Sequence, residues 1–257
     1  SNGITWGDLS AGNFYDAGMS SSTRGVYAFG KSTGNLNSNV MEFVTMRSLG
    51  VTGDFGDAQN VGGTKSDSGS SNETRGIFVD GSPFPISYIT IATTGNATDF
   101  GDTTFARNGL AGFSSTTRSV FAGGTDGTRR NIIDYVTIGT TGNATDFGDL
   151  TQVQSDCAGL SSSTRGIIAG GASSGTTNVI QYVTIASTGN ASDFGDLSAG
   201  KQFCTGTSNS TRGLVQLGES NTCEYITISS TGNSTDFGDL NTATGAGAVS
   251  TAHGGLA

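Results

Sequence analysis

Five arginines stand at the same place in a repeated pattern. Arg24, Arg75, Arg118, Arg165 and Arg212 each follow a threonine, and four of them precede a glycine. They account for five of only twelve basic residues. Sixteen residues ahead of Arg118, Arg165 and Arg212 ends a signature of the form Asp-Phe-Gly-Asp, at Asp99–Asp102, Asp146–Asp149, Asp193–Asp196 and, once more, Asp236–Asp239. A looser copy occupies Asp54–Asp57, and Ile4-Thr5-Trp6-Gly7-Asp8-Leu9 is a variant with Trp6 in the phenylalanine position. One Arg and two Asp per unit admit two chemistries. The charges pair between adjacent units, fixing geometry more than adding stability, or the arginines form a ring at one mouth of a channel that binds a carboxylate or anionic sugar. A chain with only 13% charged residues favours pairing.

The paired aspartates Asp99 and Asp102, Asp146 and Asp149, Asp193 and Asp196, with preceding oxygens such as those of Asn96-Ala97-Thr98, offer weak ligands for Ca²⁺, a cation that takes six or more oxygens. The Asp-x-Asp-x-Asp-Gly order of a calcium loop is absent, and Asp beside Gly is ordinary turn chemistry in which the carboxylate caps local N–H groups. Turn capping is the favoured reading and no cofactor is expected. His253 is the only histidine, so neither a Ser-His-Asp set nor a zinc cluster recurs with the repeat. No enzymatic activity is expected.

The phenylalanines at 55, 100, 147, 194 and 237 set a period of about 46 residues, a length typical of propeller blades. Within it lie four strand candidates. A small-residue stretch such as Cys157-Ala158-Gly159-Leu160 comes first. The arginine block follows, with consecutive apolar residues as in Val120-Phe121-Ala122, which implies cover on both faces. The third alternates, as in Tyr135-Val136-Thr137-Ile138, and so offers one face to a core. The signature, after a Thr-Gly-Asn turn, makes the fourth. Four short antiparallel strands per unit, with no helix-period stripe, specify an all-β propeller with five blades, six being the alternative. The whole chain, 1–257, is read as one domain, with units at about 9–55, 56–100, 101–147, 148–194 and 195–240; the end segments 1–8 and 241–257 serve ring closure or assembly.

The net charge of −9 disfavours nucleic acid, whose phosphates call for a basic footprint. No run of about 18 apolar residues is present, so no membrane span is expected. Of the three cysteines, Cys204 and Cys223 share a unit and are better placed for a disulfide than Cys157 and Cys204, which occupy equivalent places in adjacent units. Three small buried thiols are the simpler expectation.

Gly123-Gly124 followed by Tyr135 and Phe147, and Gly170-Gly171 followed by Tyr182 and Phe194, resemble the diglycine, tyrosine and tryptophan order of kelch-type propellers; Gly81, Tyr88, Phe100 and Gly218, Tyr225, Phe237 are weaker copies. Phenylalanine replaces tryptophan in all but the Trp6 position. The resemblance implies a propeller fold and leaves function open. Near-identical Ser/Thr/Gly/Asn-rich repeats are also similar in style to propellers of bacteriophage tail, fibre or virion surface proteins. That likeness implies a structural or attachment module in a virion or other extracellular location, with other virion or assembly proteins, and cell-surface glycan, as partners. The alternative is a multivalent lectin propeller that binds one sugar per blade.

Overall fold

The computed structural model describes residues 10, 13–14, 17–28, 31–32, 38–48, 50, 52–60, 68–80 and 83–240. Ile4–Leu9, Gly81, His253 and the rest of 241–257, on which some of the expectations above fall, lie outside them. Among the described residues every element is a strand, and apart from a short pairing of Asn13–Phe14 with Lys31–Ser32 the strands form five four-stranded antiparallel sheets. These are the five blades of a β-propeller.

In chain order the first blade comprises Ala17–Ser20, Arg24–Ala28, Val40–Thr45 and Gly53–Asp57; the second, Gly69–Ser71, Arg75–Val79, Pro85–Thr90 and Thr98–Asp102. The third comprises Ala111–Ser114, Arg118–Ala122, Ile132–Thr137 and Thr145–Asp149; the fourth, Ala158–Ser161, Arg165–Ala169, Val179–Thr184 and Ser192–Asp196. The fifth runs through Thr205–Ser208, Arg212–Gln216, Thr222–Thr227 and Thr235–Asp239. Each blade pairs its strands strictly in sequence, so hairpin turns suffice and no crossover is needed.

The innermost strands are short and mostly of glycine and small residues because five of them converge on one axis, with Met19, Phe113 and Leu160 the large side chains that three of them turn into the seams. A Cβ on Gly206 would lie 3.0 Å from the Gly159 carbonyl oxygen of the neighbouring strand. The second strands carry apolar residues on both faces, since each is sandwiched between two blades. Val120 and Ala122 pack forward with Phe147, Leu150 and the fourth blade's Cys157, Ile168 and Ile185, whereas Phe121 packs backward against Ile77, Val79 and Phe100 of the second blade. The same division recurs at the first-to-second and fourth-to-fifth seams. A single sheet cannot cover its own faces, so burial in this fold is a property of seams rather than blades.

The outermost strand carries a bulge in every blade. Asp99 pairs with Ser87 and Gly101 with Ile86, leaving Phe100 unpaired between them, and the four other signatures repeat this. The bulge rotates the ring into the seam. It also drives the next residue to positive φ, 146° at Gly148, where a side chain would be strained. A Cβ there would meet the Gly189 carbonyl carbon and oxygen at 2.6 Å, so glycine is required on two counts.

Candidate functional site

The repeated arginines are placed by the turn that precedes them. Ser21, Asn72, Ser115, Ser162 and Asn209 accept from the arginine N–H at 3.1, 2.8, 3.2, 3.1 and 2.7 Å, which folds the four-residue turn and starts the second strand at the arginine. Each guanidinium lies over an aromatic ring of its own blade: Arg24 over Phe43 (4.3 Å), Arg75 over Tyr88 (4.7 Å), Arg118 over Tyr135 (4.5 Å), Arg165 over Tyr182 and Arg212 over Tyr225 (both 4.4 Å). These rings meet the signature phenylalanines edge-on, as Tyr135 meets Phe147 with centroids 5.9 Å apart at 82°.

The remaining donors reach the next blade. Arg24, Arg75, Arg118 and Arg165 each donate from Nη1 at 2.9 Å to the carbonyls of Ile91, Ile138, Ile185 and Ile228. Cross-blade pairing of charges is therefore not how these residues work. Among the described residues the ion pairs are Arg107–Asp134 and Arg130–Asp126, and none of the five repeated arginines takes part. A carbonyl dipole satisfies the cation without a second ion having to be desolvated.

The aspartates sit at both ends of each outermost strand. Asp99, Asp102, Asp146, Asp149 and Asp193 are exposed, and Asp196 is half-buried. Their carboxylates do not cap turns. The main chain around them binds the neighbouring blade instead: the N–H groups of Asp57, Asp102, Asp149 and Asp196 donate to the side-chain oxygens of Asn96, Asn143, Asn190 and Asn233 at 3.0 to 3.1 Å. The Gly95, Gly142, Gly189 and Gly232 N–H groups return bonds to the carbonyls of Phe55, Phe100, Phe147 and Phe194. Among the described residues no three His, Cys, Asp or Glu side chains converge as metal ligands, and no helix is long and apolar enough to cross a membrane.

Two constellations escaped sequence reasoning. The first is a serine ladder around the axis. Ser71 Oγ accepts from the Ser20 N–H (2.9 Å) and donates to the Ser20 carbonyl (2.9 Å); Ser114, Ser161 and Ser208 do the same to Ser71, Ser114 and Ser161. Its signal was a serine four residues before every repeated arginine. The ladder leaves a channel of about 50 Å³, lined by glycines and serines of all five innermost strands. That holds a water or two, well short of the roughly 300 Å³ at which small-molecule sites begin.

The second is a buried polar centre on the third strand. In the third blade Arg107 and Asp134, both fully buried, are joined at 2.8 Å, and Arg107 Nε donates to the Gly123 carbonyl at 2.6 Å. In the fourth blade Gln154 and Gln181 fill the equivalent positions with a 2.6 Å amide bond, and Gln154 donates to the Gly170 carbonyl. Thr151 N–H and Ser198 N–H tie the chain entering each blade to this centre, donating to Gln181 (2.6 Å) and Glu224 (3.2 Å).

No known protein-family model matches the chain, and neither does any curated protein.

The three thiols are unpaired. Free thiols are the simpler of the two sequence expectations, and neither candidate pair is bonded: Cys157 and Cys204 are buried, Cys223 is half-buried, and Cys204 Sγ lies 3.3 Å from the Lys201 carbonyl. Burial pushes all three thiols above their ordinary range, Cys157 furthest. At the surface, Arg130 hydrogen-bonds Asp126 through two donors, at 3.2 and 2.7 Å, and holds its carboxyl below the usual range.

Proposed function

We propose that this propeller is a non-catalytic structural or attachment module of an extracellular assembly, a virion surface being the setting its repeat style favours. It presents one polar patch per blade around its rim. The supporting observation is the division of labour within the repeat. Four of the five arginines are consumed in building seams and the serines in the ladder around the axis, whereas most of the signature aspartates remain exposed at the rim. A side chain repeated around a ring but not needed to hold it is what a multivalent surface requires, because several weak contacts made together give avidity.

The test is assembly set beside sugar binding. Light scattering and electron microscopy of the concentrated protein, together with a glycan array, separate the readings. Ordered self-association, or capture onto a partner particle that weakens when Asp146 and Asp149 are changed to Asn, supports the module. Several equivalent sugar sites on the array would give the function to a lectin instead, and turnover of any substrate would end the non-catalytic reading.

A further inference from the structure

Four seams are complete among the described residues, and each teaches what a blade face looks like when covered. The backward face of the third blade buries Val136 (3% exposed) and Ile138 (0%); that of the fourth buries Val183 (3%), Ile185 (0%) and Ala191 (9%). The equivalent residues of the first blade, Val44, Met46 and Thr52, are all only half-buried. At the interior seams the turn after the third strand gives two N–H groups to the preceding signature, as Gly142 does to the Phe100 carbonyl (2.7 Å) and Ala144 to that of Asp102 (2.8 Å). Gly50 and Thr52 hold those places in the first blade, and among the described residues no bond reaches their N–H groups.

The occupant can be read from a tether. Thr151 and Ser198, whose N–H groups bind the buried centres of the fourth and fifth blades, each stand two residues after a signature's last aspartate, Asp149 and Asp196. Ser10 makes the same bond in the first blade, donating from its N–H to Glu42 Oε2 at 3.1 Å, and it stands two residues after Asp8. Ser10 is thus held as Thr151 and Ser198 are, the residues that follow interior signatures, and the sequence ahead of it is Ile4-Thr5-Trp6-Gly7-Asp8-Leu9. Both glycines that the close approach demands are present, Gly7 at the place of Gly148 and Gly50 at that of Gly189.

We propose that Ile4–Leu9 docks on the open face of the first blade as the outermost strand of a further seam, with Trp6 over Val44, Met46 and Thr52 and with the carbonyls of Trp6 and Asp8 accepting from Gly50 and Thr52. One departure weakens the copy. Val51 replaces the asparagine whose side chain accepts from the second aspartate's N–H elsewhere, so this strand lacks one bond.

Trp6 is the only tryptophan, which makes the full-length chain its own probe. Trp6 emission is expected to be blue-shifted and protected from acrylamide. Met46→Lys, with its far-UV spectrum unchanged, should shift the emission red and raise the quenching constant several-fold. Amide exchange at Gly50 and Thr52 provides a second reading that does not depend on a core substitution: both should be protected in the full chain and lose protection in one shortened to begin at Ser10. Solvent-like Trp6 emission, or emission indifferent to Met46→Lys, overturns the proposal. So does emission that reddens on dilution, which would move the contact to a neighbouring copy.

Discussion

Truncating Arg118 and Arg212 to alanine isolates what a seam gains from its arginine, because the two share a stacked ring and differ in whether a neighbouring blade covers the guanidinium and accepts from it. Both stack on a tyrosine, at 4.5 and 4.4 Å. Arg118 also donates to the Ile185 carbonyl at 2.9 Å, whereas among the described residues the Arg212 guanidinium has no carbonyl partner and the residue is exposed. A cation over an aromatic ring at a partly exposed site contributes about 0.5–1 kcal/mol, and a hydrogen bond from a charged donor roughly 1.5–3 kcal/mol. Arg118→Ala should therefore cost about 2–4 kcal/mol and Arg212→Ala about 0.5–1 kcal/mol. For a domain of this size each kcal/mol moves the melting temperature by about 2–4 °C, so the separation is within reach of thermal unfolding followed by circular dichroism. Arg118→Lys should recover little, since an ammonium cannot both lie flat on Tyr135 and aim a donor along the seam. Equal losses at the two positions, or none at Arg118, would refute the assignment of these arginines to seam building and return them to the pool of candidate ligand residues.

Replacing Arg107 by Met strands the Asp134 carboxylate in the core and should cost about 3–5 kcal/mol, while Arg107→Gln with Asp134→Gln, which copies the Gln154–Gln181 pair one blade on, should melt close to the parent. Gly148→Ala, at φ 146° and 2.6 Å from the Gly189 backbone, should lower the melting temperature far more than Gly139→Ala, whose added Cβ meets nothing within 4 Å. A thiol reagent on the native protein should modify Cys223 first and reach Cys157 and Cys204 only on unfolding, because the latter pair are buried and their thiols are held protonated; simultaneous labelling of all three would contradict this. Asp236→Asn with Asp239→Asn should promote self-association in analytical ultracentrifugation, and Asp146→Asn with Asp149→Asn should do so much less.

What was legible in the sequence was whatever repeats in register with burial. Phe100, Phe147 and Phe194 keep a fixed distance from Tyr88, Tyr135 and Tyr182 because each pair is one edge-on contact inside a seam, with centroids 5.9 to 6.1 Å apart. The consecutive apolar residues of Val120-Phe121-Ala122 announced cover on two sides, and two different seams supply it. The partners of the arginines were not legible. Charge counting directs attention to side chains of opposite sign, and a backbone carbonyl one blade away leaves no mark in composition. Arg107 with Asp134 was hidden for a related reason: its counterparts Gln154 and Gln181 carry no charge, so the position does not look repeated until the fold superposes it. The serine ladder went unseen because serine is common here, and its regular offset from the arginines stood out only once the axis was known.

The fifth blade differs from the others at the edge of its last strand. In the first four blades the outer edge of the last strand is occupied by the next blade's turn, through the Gly95, Gly142, Gly189 and Gly232 N–H groups. No described turn occupies the edge of Thr235–Asp239, and Phe237 is 37% exposed where Phe55, Phe100, Phe147 and Phe194 are each 2% exposed. An uncovered strand edge is a template for pairing with another chain. The forward face behind it is also more polar than its counterparts, with Thr205, Thr207 and Gln216 where the third blade has Ala111, Phe113 and Ala122. Such a face tolerates water better than an interior seam does. The bulge at Phe237 and the carboxylates of Asp236 and Asp239 at either end limit what can pair along the edge. The two aspartates that decorate a closed seam elsewhere thus stand, at this edge, as charges that any strand pairing along it would have to accommodate, which is why their neutralisation should promote self-association.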